Sequence, residues 1–156
     1  MSSIITSSYT AQQIKAVKVS DLQTLTTSDI AQIAPEAMAG LTPTQVQALP
    51  TTVIGQISTD QLSYMTPAQL AALNTAQIQQ VTTSQLSSLT ASQLNGLNVG
   101  ALNVLSTAQI SGLQAEQISG LGKPWIASLT PTKMSGLSSQ QVSALTTSQL
   151  MSLTPV

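Results

Sequence analysis

Cysteine, histidine, arginine and phenylalanine are all missing from this chain of 156 residues. Without cysteine there is no disulfide framework. Without histidine or cysteine there is no zinc-type ligand cluster and no Ser–His or Cys–His nucleophile pair. No glycine-rich phosphate loop precedes a Lys-Ser/Thr pair. Aromatic residues make up 2% and are only Tyr9, Tyr64 and Trp125. Charged residues make up 6%, against about 25% in a typical soluble domain, and none lies between Gln61 and Ala115. The net charge of −1 leaves no electrostatic case for nucleic acid or an anionic membrane. A surface this neutral repels its own copies weakly and favours association. No stretch approaches the length of a membrane span. Residues 1–9 lack the basic region and apolar run of a Sec signal peptide, so export is expected to use a route without a cleaved signal.

What the chain does have is an unbroken repeat. From Ile14 to Leu150 every eighth residue is aliphatic, and so is the residue three places after each, from Val17 to Leu153. At 42% apolar content such a pattern arises by chance with a probability on the order of 10⁻¹⁴, so the octad sets the architecture. The unit reads Thr-x-x-Gln-(Leu/Ile)-x-small-Leu, cleanly in 66–73 and 146–153. Thr-x-x-Gln is a capping box: the Thr hydroxyl accepts the third helical N–H, and the Gln reaches back to the Thr N–H. The Leu before each Thr and the apolar residue after each Gln suit a hydrophobic staple. Pro35, Pro43, Pro67, Pro131 and Pro155 directly follow the cap place, where a missing N–H costs nothing; Pro50 and Pro124 break this frame.

The pattern predicts an all-α solenoid of about 18 octapeptide units, each a very short capped helix. A β-solenoid is the alternative, but spacings of three then five are not a period of two, and Ala, Gln and Leu are poor strand formers. Residues 14–156 form the solenoid; residues 1–13 hold a degenerate unit, read as a cap or a docking arm. A lone octad cannot repay its ordering entropy, so the units must stack. Gly40, Gly96, Gly112, Gly120 and Gly136 stand just before the second apolar residue of their units. They predict either tolerant helix ends or close packing of adjacent coils, the latter being preferred.

No catalytic, cofactor or metal site is expected, and the chain is not expected to be an enzyme. Asp21 and Asp29 occupy the Gln place of adjacent units. A calcium site built from them is conceivable, but acids favoured at helix N-termini explain them more simply. Lys15 and Lys18 read as a solvated face or a polar contact. The unit ending in Leu153 is fully standard and predicts an uncovered apolar layer. Trp125, in the least regular unit, reads either as an exposed interface anchor or as a residue packing over a local irregularity. The self-association candidates are Ile4, Ile5, Tyr9, Tyr64, Trp125, Leu150, Leu153 and Val156.

The units between Thr66 and Leu153, for instance 82–89 with Thr82, Gln85, Leu86 and Leu89, resemble the short L-T-x-x-Q-I-x-x-L arrays of large bacterial secreted, adhesin-like repetitive proteins. The resemblance implies an extracellular or cell-surface setting. This chain is short and nearly all repeat, which favours a small subunit that assembles. The expected function is a subunit of an extracellular bacterial filament or matrix fibre, built by end-to-end stacking. Its partners are other copies of itself and a cell-surface anchor protein, with no nucleic acid and no membrane insertion. An adhesin-type spacer or surface-binding module is the alternative. Ice binding ranks below both: Thr26, Thr42, Thr66, Thr82, Thr90, Thr130 and Thr146 recur in register, but their hydroxyls are wanted as caps.

Overall fold

Each unit bends the chain because its middle is helical and its ends are extended. In unit 66–73, Thr66 lies at φ −75° and ψ 158°, and Pro67–Ala71 is helical. Leu73 closes the last turn by donating its N–H to the Leu70 carbonyl at 3.2 Å. The eighth residue is extended where a helix runs up to it, as at Leu49 (φ −60°, ψ 136°) and Leu89 (φ −73°, ψ 145°). Such a residue followed by an extended cap redirects the chain before the next helix starts.

The computed structural model describes residues 9–153. They form 17 α-helices and one 3₁₀ helix, Pro35–Gly40, each four to six residues long, and the described residues contain no strand. The expected all-α solenoid is therefore the fold, and the β-solenoid is set aside. Thr10 caps the first helix, Ala11–Ala16, through a box with Gln13. Ile4, Ile5 and Val156 lie outside the described residues.

Helices 24 residues apart pack on one another, so three octads make one coil. Ala11–Ala16 meets Pro35–Gly40, which meets Thr59–Ser63, and the column continues through Thr83–Ser88 and Thr107–Ser111 to Pro131–Ser135. A second column runs from Val19–Leu22 through Pro43–Ala48 and Pro67–Ala71 to Ser139–Ser143. The third holds Thr27–Ala31, Thr51–Ile54, Thr75–Ile78, Val99–Val104 and Lys123–Ala127. The result is a three-sided rod around one shared aliphatic core. The fifth residue of every unit from Ile14 to Ile126 is at most 5% exposed. Burial of two aliphatic side chains per unit, shared with the coils on either side, is what a single octad lacks.

The prolines fit this backbone. Pro35, Pro43, Pro67 and Pro131 take the first helical place. Pro50 is itself a cap residue and Pro124 falls in the first turn, so neither removes a needed intrahelical donor.

The seventh place is where adjacent coils come closest. No described residue has a positive φ, so glycine is not needed there for its backbone freedom. It is needed for the space: a Cβ on Gly40 would run into the backbone of Ala11, and one on Gly96 would come within 2.7 Å of Pro67 Cα and O. The close-packing reading of these glycines is the correct one. Gly96→Ala is expected to destabilise the rod by about 1–3 kcal/mol through overpacking, measured by urea denaturation. A neutral effect would mean that the coils can separate at no cost.

Candidate functional site

The fourth residue of each unit does two things at once. In unit 74–81, Gln77 Oε1 accepts the Asn74 N–H at 2.9 Å and completes the capping box. Its Nε2 donates to the carbonyls of Val46 at 3.0 Å and Leu49 at 2.8 Å, one coil earlier. The same pair of contacts recurs at fixed spacing. Gln61 reaches Ile30 and Ile33, Gln69 reaches Met38 and Leu41, and Gln85 reaches Ile54 and Ile57. Gln45, Gln93, Gln109, Gln117, Gln141 and Gln149 repeat it. All ten amides are buried. They form a ladder along the rod that binds each coil to the one before it. The sequence predicted the half of each contact that caps the helix. It missed the half that joins coils, because nothing in one octad says what lies 31 residues earlier.

Three of the departures from Gln keep a donor, each in a different way. At Ala101 the amide is lost, but Asn98 Nδ2 supplies the Ala71 and Leu73 carbonyls at 2.9 and 3.2 Å. Trp125 is 2% exposed and its indole N–H donates to Leu94 O at 2.7 Å. The reading of Trp125 as an exposed interface anchor is thus corrected: an indole carries one N–H on a large apolar body, which suits a buried ladder place. Lys133 is 8% exposed, and its Nζ donates to the carbonyls of Leu102 at 3.0 Å and Asn103 at 3.1 Å. Burial lowers its pKa below the ordinary 10.5, because desolvation disfavours the charged amine. No buried side-chain donor or acceptor among the described residues lacks a partner.

Tyr64 is exposed, and Tyr9 packs partly against the core. Leu153 also packs partly against the core, whereas Leu150 is 48% exposed. Asp21 and Asp29 do lie at helix N-termini; Asp29 accepts the Thr26 N–H at 2.9 Å and its hydroxyl at 2.7 Å. Among the described residues no group of three or more acids could hold a metal ion, and no helix is long and apolar enough to cross a membrane. The threonine hydroxyls of the register accept backbone N–H groups, as Thr82 does from Gln85 at 3.1 Å.

The larger recesses lie at the surface. The void within the core, bounded by aliphatic residues such as Leu70, Ile78, Leu86 and Leu97, holds about 10 Å³, at most one water and no ligand. An open groove of about 840 Å³ runs along units 114–121 and 138–145, lined by Gln114, Glu116, Ser138, Ser139 and Gln140 among others. A recess of about 380 Å³ lies beside Tyr9, Gln13, Lys18 and Asp21. Compared with protein-family models, curated proteins and solved structures, the chain matches none.

Two substitutions test the ladder. Gln77→Leu removes a cap acceptor, leaves the Leu49 carbonyl without its amide donor and leaves Val46 only the Leu49 N–H, so it is expected to cost about 3 kcal/mol by chemical denaturation; a cost no greater than that of losing one cap would sink the ladder. Lys133→Gln is expected to stabilise the fold by about 1 kcal/mol. It should also abolish a pH dependence of the parent. The folded-state pKa of Lys133 is depressed, so the penalty of burying its charge is fully present below that pKa. The penalty is relieved as the pH rises toward 10.5, and stability should rise with it. A parent stability that is flat or falling between neutral and alkaline pH, with no change on substitution, would contradict this account.

Proposed function

We propose that this chain is a structural rod that associates with its own copies, a subunit of an extracellular bacterial filament or matrix fibre rather than an enzyme. The observation that carries the reading is the ladder itself, in which each coil covers the core of the one before it and donates to its carbonyls through buried amides. Copies stacked in the same register would repeat that contact. Val142 and Leu150, 44% and 48% exposed, are core-place residues that such a copy would cover. The near-neutral surface and the absence of charge from Gln61 to Ala115 favour such contacts. The bacterial surface setting rests on the resemblance of the octads to secreted adhesin-like arrays, and an anchor protein at the cell surface is the second partner.

The adhesin-type spacer remains the second reading because of the open groove along units 114–121 and 138–145, whose Gln114, Ser138, Ser139 and Gln140 suit a hydroxyl-rich ligand such as a glycan. Multi-angle light scattering and negative-stain microscopy separate the two. The filament reading expects a mass that grows with concentration, elongated particles, and a Val142→Lys/Leu150→Lys variant that stays monomeric. Monomers alone at millimolar concentration would overturn it, and a monomer that binds glycans would establish the spacer.

A further inference from the structure

We infer that Asn95–Gly96 is a deamidation site that the packed coils hold closed, and that its conversion irreversibly loosens the junction between units 90–97 and 114–121.

Two separate demands of the packing create this dipeptide. Gly96 is fixed by space, because a Cβ there would come within 2.7 Å of Pro67 Cα and O. Asn95 is fixed by Trp125. In the regular units the fourth-place glutamine accepts the cap N–H of its own helix, as Gln117 does from Gln114. An indole only donates, so Trp125 leaves the Gly122 N–H without an acceptor in its own unit. Asn95 Oδ1 accepts that N–H at 2.8 Å, and its Nδ2 donates to Gly120 O at 2.9 Å. The other four seventh-place glycines follow Ala39, Ser111, Ser119 and Ser135, which carry no amide. The remaining asparagines, Asn74, Asn98 and Asn103, precede Thr75, Val99 and Val104. Asn95 is therefore the one asparagine in the sequence followed by glycine, whose nitrogen no Cβ shields.

Deamidation begins when the Gly96 nitrogen gives its proton to solvent base and attacks Asn95 Cγ. A new C–N bond closes a five-membered succinimide, and the side-chain nitrogen leaves as ammonia. Water then opens the ring to an aspartyl or an isoaspartyl residue. Asn95 is solvent-exposed, so base and water reach it, but the fold opposes the attack in two ways. Asn95 is the last residue of helix Ala91–Asn95, and the Gly96 N–H donates to the Gln93 carbonyl at 3.0 Å. The carboxamide is held at both its oxygen and its nitrogen by the neighbouring coil. Both restraints lapse when the two units part, an opening that needs no global unfolding. The product no longer fits the junction. Aspartate keeps an acceptor for Gly122 but sets a charged oxygen, with no donor, against Gly120 O. Isoaspartate lengthens the backbone by a methylene where the coils approach closely. Either product also places a charge within the uncharged stretch from Gln61 to Ala115.

The test uses the full chain at mildly alkaline pH, incubated in buffer and in concentrated urea, with conversion at each asparagine read by peptide mass spectrometry. Asn95 is expected to convert at least about tenfold faster in urea than in buffer; a smaller difference overturns the guard. In urea it is also expected to outpace Asn74, Asn98 and Asn103, and an Asn95 no faster than these overturns the site. Asn95→Asp tests the consequence. Its midpoint of urea unfolding is expected to fall below the parent's, and a variant that loses its cooperative transition altogether meets the same expectation. An unchanged or higher midpoint overturns the loosening of the junction.

Discussion

A helix of five residues leaves nearly all of its backbone donors and acceptors without an intrahelical partner, and helices this short do not persist alone. The described residues form 18 such short helices, each of four to six residues. The interaction that makes this workable is the amide at the fourth place of the octad. Its oxygen takes the cap N–H of its own helix, and its nitrogen donates to two carbonyls at the end of a helix one coil earlier. One uncharged side chain with both donor and acceptor thus completes two helix ends. Glutamate would offer no donor for the carbonyls, and lysine no acceptor for the cap. Glutamine is also long enough to span both, which accounts for its dominance.

The rest of the design follows from this contact. The carbonyls must lie within reach of the amide, so coils pack closely, and glycine appears at the seventh place where the approach is tightest. The fifth and eighth places carry the aliphatic core because they flank the ladder on its inner side. Of the outer places, the second packs against the seventh of the next coil, while the third and sixth vary more freely. Stability in such an array comes from neighbouring coils, so the face of a coil is as much a contact surface as a boundary. This is the physical link between fold and proposed role: the junction that holds the rod together is the one that would join rods.

Trp125 and Lys133 show how far the ladder tolerates substitution. Each occupies a glutamine place, keeps a donor aimed at the carbonyl 31 residues earlier, and is buried. Read one unit at a time, a tryptophan beside Gly122, Lys123 and Pro124 looks like an exposed anchor and a lysine like a surface charge. Only the column in which they stand gives them their role. Asn98 makes the same point in reverse, restoring from the cap place the donor that Ala101 lacks.

The octad by itself determined the helix class, the caps, the aliphatic positions and the close approach at glycine. Each of these depends on residues within a few places of one another, where spacing alone decides which groups meet. The number of octads in a coil, the partner of each amide, the burial of Trp125 and Lys133 and the three columns were decided only by tertiary structure. Those contacts join residues 24 to 31 places apart, and an exact repeat offers every multiple of eight as an equally good match. Geometry chose three octads per coil because that closure brings the amide of one unit onto the carbonyls at the end of another.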